Sequence, residues 1–125
     1  MAVTEVIAPV TGNVVHKYTA DSTAVAIAES TDAVDQAMRF DSLTLHLSAG
    51  PTTSEAFTVT LNSRNGAAWD TLLFTLDLSV APVVDLALDE TDIDIILYRG
   101  DALDIAWTNT DLRTHGLEFS LVEAA

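Results

Sequence analysis

Three histidines, His16, His46 and His115, and nineteen carboxylates are the groups in this 125-residue chain able to bind a metal or move a proton. A zinc site needs several ligands converging, and the histidines lie in separate segments with no spacing such as H-x-x-x-H. His46 stands between Leu45 and Leu47 and reads as a solvent-facing residue. Asp85, Asp89, Glu90, Asp92 and Asp94, with Asp101 and Asp104 downstream, offer the oxygens that calcium prefers. They form no D-x-D-x-D-G loop with a closing Glu, so a solvated acidic rim is the simpler expectation. A glycosidase needs two carboxylates facing each other across a cleft, and none here stands apart from turns and wet faces. Asp41, Ser42 and His46 contain the groups of a hydrolytic triad, but Ser42 and His46 fall on one face of one strand without a G-x-S-x-G elbow. Arg99-Gly100-Asp101 spells a tripeptide found in some integrin ligands, and a turn between strands accounts for it fully. The expectation is a protein with no catalytic centre, no metal and no cofactor.

The elements that must position these residues alternate apolar and polar side chains. Leu43, Leu45 and Leu47 share one side of a segment, as do Phe57, Val59 and Leu61; Leu72, Phe74, Leu76 and Leu78; Ile93, Ile95 and Leu97; Leu103, Ile105 and Trp107; and Leu117, Phe119 and Leu121. A period of two gives each strand one buried and one wet face. The fold class is all-β: an antiparallel β-sandwich or jelly roll of about eight strands with at most one short helical turn. That turn is expected within residues 29–38, where Ser30, Thr31 and Asp32 are candidate N-caps. Asn65-Gly66 predicts a hairpin between residues 57–62 and 70–78. Residues 79–91, with Pro82, predict an irregular crossover or a broken edge strand. Strands follow at 93–98, 102–108 and 116–122. The predicted core contains Leu45, Phe57, Val59, Phe74, Ile95, Ile105, Trp107 and Phe119.

Composition narrows the function classes. Hydrophobic residues make up 49% of the chain, enough to build a core and exclude general disorder. The longest apolar run is far below the roughly 20 residues of a spanning helix. Residues 1–12 have an acidic residue where a secretory signal has a basic one, so no exported leader is expected. There is no cysteine. The net charge of -14 leaves five scattered cations in an anionic field, which argues against nucleic-acid binding and for solubility or a saline setting.

One domain, residues 1–125, is expected, with residues 1–20 either an extended N-terminal arm or an edge strand. Apolar stretches at 3–10, 14–18 and 24–28 are separated by Pro9, by Thr11-Gly12-Asn13 and by residues 20–23. Residues 2–18 alternate less cleanly than later strands and could pair with a neighbour's exposed edge. Val3, Val6, Ile7, Val10, Val14 and Tyr18 are therefore candidate partner-binding residues. Trp69, at the entry to a hairpin, is weighed between core packing and an exposed aromatic that stacks on a sugar or a protein; it joins the candidates.

Across residues 38–124, through MRFDSLTLHLSAG, FTVTLNSRNGAAWDTLLFTLDLS and YRGDALDIAWTNTDLRTHGLEFSLVEA, the chain resembles small head decoration or cement proteins of tailed bacteriophages. The resemblance implies a non-enzymatic β-rich module on the capsid exterior, assembled in the host cytoplasm. Its implied partner is the major capsid protein, bound as a homo-oligomer, for instance a trimer, with neither nucleic acid nor membrane as partner. A carbohydrate- or receptor-binding module of a tail or fibre, and a hydrolase built on a jelly roll, are the other classes the same pattern serves.

Overall fold

The computed structural model describes the backbone over residues 3–10 and 13–124, and side chains at 5–7, 14–20 and 24–124. Ten strands lie among these residues: β1 (Val3–Val10), β2 (Asn13–Thr23), β3 (Ile27–Ser30), β4 (Met38–Leu47), β5 (Ala56–Asn62), β6 (Thr71–Asp77), β7 (Asp85–Asp89), β8 (Ile96–Leu97), β9 (Ala102–Trp107) and β10 (His115–Glu123). One sheet runs β1-β2-β10-β4-β7, with β8 also on β4, and the other runs β3-β9-β5-β6. All pairings are antiparallel. The first half of the chain pairs with the second in nested fashion, β2 with β10, β3 with β9, β4 with β7 and β5 with β6, as in a long hairpin rolled into two sheets. That connectivity is a jelly roll.

Alternation explains the core. Along β4 the apolar residues Phe40, Leu43, Leu45 and Leu47 are buried while Arg39, Thr44 and His46 face solvent. The step between Phe40 and Leu43 breaks the period, and the β4–β10 register shifts nearby, between Ser120 and Leu121. A bulge of this kind keeps both apolar sets inward. Leu45, Phe57, Val59, Ile105, Trp107 and Phe119 are buried, and Phe74 and Ile95 are half-buried against the same cluster.

Several local expectations are corrected. No helical turn forms in 29–38: β3 runs through Ser30, whose hydroxyl accepts the Asp32 N–H (3.0 Å), and Thr31 Oγ1 accepts the Leu103 N–H (3.0 Å). The oxygens suited to capping a helix serve instead in a turn and a strand crossing. The helical turn is a 3-10 turn at Ala67–Trp69. It lengthens the connection of the expected hairpin, which does form: β5 pairs antiparallel with β6, and Gly66 in the loop has φ 114°. Leu72 points to solvent because the β5–β6 register slips between Val59 and Thr60. The strand expected over 93–98 shrinks to Ile96–Leu97, since the Asp92 and Ile93 N–H groups both bond the Asp89 carbonyl in a turn. Residues 20–23, read as a separator, belong to β2. Thr11 and Gly12 of the expected first turn lie outside the described residues.

Many carboxylates tie loops together. Asp111 accepts the N–H groups of Thr52 and Thr53, each at 2.8 Å, and the Thr53 hydroxyl at 2.8 Å. These bonds, the Thr53 N–H first, hold its carboxyl down at a pKa of about 2. Asp77 is likewise lowered to about 2 by the Ser54 hydroxyl, then by the Ser79 hydroxyl and N–H. Asp101 is buried, at 2% exposure, and accepts from Arg64 N (2.8 Å), Tyr98 N (2.9 Å) and Arg64 Nη1 (3.1 Å). Burial pushes its carboxyl up, but those hydrogen bonds and the Arg64 charge outweigh that and hold it below its ordinary value.

Candidate functional site

The β1–β2 hairpin is the most distinctive surface. β2 continues through three residues into β3 of the opposite sheet, so β1, one strand further out, lies beyond the edge of that sheet. Among the described residues, its inner-face side chains Glu5 and Ile7 are exposed. Val6 and Ile7 are neighbours on opposite faces and are 55% and 57% exposed. The side of β1 away from β2 has no strand beside it among the described residues. An edge of this kind presents unpaired backbone donors and acceptors.

Beneath the inner face of β1 lies a cleft of about 340 Å³ between the hairpin and the β3–β4 connection. The register sets Glu5 opposite Tyr18 and Ile7 opposite His16. His16, itself buried, places Nδ1 3.4 Å from Glu5 Oε2 and Nε2 3.4 Å from Glu123 Oε1. Gln36 donates through Nε2 to the same Glu123 oxygen. The Tyr18 ring stacks on Phe119 with centroids 5.0 Å apart and planes 10° from parallel. Burial, then its hydrogen bond to Glu5 and the nearby carboxylates, pushes the Tyr18 hydroxyl well above the ordinary phenol range. The result is a connected polar floor, Tyr18 to Glu5 to His16 to Glu123 to Gln36, beside the apolar Ile7, Val34 and Met38.

The sequence candidates separate into three groups. Val6 and Ile7 are at the surface of β1, and Val14 is half-buried on β2. Val3 and Val10 belong to β1 by backbone, and their side chains lie outside the described residues. Tyr18 is a core residue whose ring is covered by Phe119, with only its hydroxyl serving the cleft. Trp69 is 61% exposed beside β6, at the far edge of the second sheet from β3, so it does not join the hairpin. Core packing is not its role. Glu5, Gln36 and Glu123 were not among the candidates, and His16 was weighed only as a metal ligand. The one signal for them is His16 sharing an alternating set with Tyr18 and Ala20, an inward position for a titratable side chain.

The remaining chemistry-bearing residues disperse. Ser42 shares a hydrogen bond with Ser120 (2.9 Å), while His46 Nδ1 pairs with Asp85 at 2.6 Å on the exposed side of β4. His115 is buried, with Nε2 on the Val25 carbonyl at 3.0 Å. Asp89 accepts from Thr91, whose hydroxyl and N–H hold its carboxyl low, and Asp92 accepts the Asp89 N–H at 2.9 Å. Among the described residues no group of three or more His, Asp or Glu side chains is arranged to hold a metal ion. No helix among them is long and apolar enough to cross a membrane.

No family model, no curated protein and no solved structure matches this chain.

Proposed function

We propose that the chain is a structural module of a tailed-bacteriophage virion, a decoration or cement protein that binds the major capsid protein on the shell exterior as a homo-oligomer, for instance a trimer. The observation that carries this reading is β1: an eight-residue strand lying past the opposing sheet, with Val6 and Ile7 both exposed and one edge unpaired. Free strand edges recruit partner strands, and soluble monomers usually shorten, charge or cover them. Jelly rolls serve as virion and lectin modules, although a fold alone does not assign a function. Several modest interfaces joined in one oligomer raise combined affinity by ~100-fold or more where the geometry lets them engage together.

Deletion of residues 2–12 is the test. The described β1 side chains, Glu5, Val6 and Ile7, are exposed, and the truncated chain is expected to keep its folded core. Co-sedimentation with undecorated tailed-phage capsids is lost. A folded, truncated chain that still decorates those capsids at full occupancy defeats the hairpin's role, and failure of the intact protein to sediment with them defeats the capsid reading.

Trp69 favours a second reading, a carbohydrate- or receptor-binding module. Its exposed indole, with Leu72 55% exposed three residues beyond the turn, is a surface on which a sugar ring can stack. A glycan array separates the two: binding that Trp69→Ala removes selects the second.

A further inference from the structure

The cleft under β1 is anionic as well as open. Glu5, Asp35 and Glu123 line it, a contiguous hollow adds Asp32, and no Lys or Arg lines either among the described residues. Lys17, in contrast, sits in the hollow on the other face of the hairpin, paired with Glu118 at 2.8 Å. A strand added to the free edge of β1 would place alternate side chains on the same face as Glu5 and Ile7, over this cleft. We infer that β1 accepts an extended segment of a partner protein that carries Lys or Arg at alternate positions, its backbone pairing with β1 and its cations reaching Glu5, Asp35 and Glu123. This deepens the capsid-binding reading and rests on it for the identity of the partner. A second copy of this chain fits less well: residues 3–10 contain no Lys or Arg to meet the carboxylates, and each copy carries a net charge of -14.

The test uses the intact protein and a capped nine-residue peptide alternating Lys and Thr, with its Glu-Thr counterpart as control. The Lys-Thr peptide binds, binds more weakly as salt rises, and slows hydrogen exchange at alternate amides of β1. The triple variant E5Q/D35N/E123Q lowers its affinity about tenfold. Asp35→Asn alone, on the exposed connection, lowers it about twofold and keeps the test valid if the triple variant loses stability. Absence of binding, equal binding to these variants, or binding that protects no β1 amide overturns the inference. So does concentration-dependent protection of β1 without peptide, which assigns the edge to a second copy. Capsid co-sedimentation distinguishes the two proposals. A triple variant that binds capsids as well as the intact protein sinks the inference alone, and peptide binding without capsid binding sinks the capsid reading alone.

Discussion

Asp101→Ala removes the acceptor that joins two loops through the interior of the sandwich. Its carboxylate takes the backbone N–H of Arg64 in the β5–β6 connection and that of Tyr98 before the turn, and it pairs with the Arg64 guanidinium. The guanidinium side chain is 42% exposed and can rehydrate in the variant. The two backbone donors sit beside a buried group and cannot do so fully. A hydrogen bond to a charged acceptor contributes about 1.5 to 3 kcal/mol, so two of them, discounted for partial hydration at the rim, put the loss at about 3 kcal/mol. For a domain of this size that lowers Tm by about 10 to 15 °C. Asp101→Asn keeps an acceptor oxygen without the charge and loses about half as much. The assay is urea unfolding followed by tryptophan fluorescence, since Trp107 is buried in the core. A loss below about 1 kcal/mol for Asp101→Ala refutes the account, because it means water replaces the carboxylate without penalty.

Three other outcomes follow from the same geometry. Gly100 has φ 96° and a Cβ there would stand 3.0 Å from Arg64 Cβ, so Gly100→Ala destabilises by about 1 to 2 kcal/mol; a neutral result in urea unfolding contradicts this. Phe119→Ala empties a buried site and removes the ring under Tyr18, costing about 3 to 5 kcal/mol in the same assay, and a loss under 1 kcal/mol would mean the core collapses to fill it. Asp111 has its pKa lowered from 3.8 to about 2 on folding, so its contribution is complete above about pH 4 and disappears as the pH falls through about 2. The stability gap between the natural chain and Asp111→Asn is therefore constant from pH 5 to 7 and closes by pH 2; a gap that widens on acidification reverses the sign.

The sequence by itself determined the all-β class and most of the core, because alternation is a local property. Leu43, Leu45 and Leu47 need only the pleat of their own strand to share a face. Residues 29–38 misled because Ser30 and Thr31 suit a helix cap in isolation, and only the Leu103 N–H, 72 positions away, draws Thr31 into a strand crossing. The open cleft was illegible for the same reason. His16 meets Glu5 across 11 residues and Glu123 across 107, a juxtaposition made by the pairing of β2 with β1 and β10. Alternation with Leu103 and Ile105 placed Trp107 in the core, but no such set contains Trp69, and its exposure follows from the 3-10 turn at Ala67–Trp69. Which strand lies beyond the opposing sheet depends on the order of strands in space. That order, set by long-range pairing and by the bulges that keep the apolar sets inward, belongs to the tertiary structure alone.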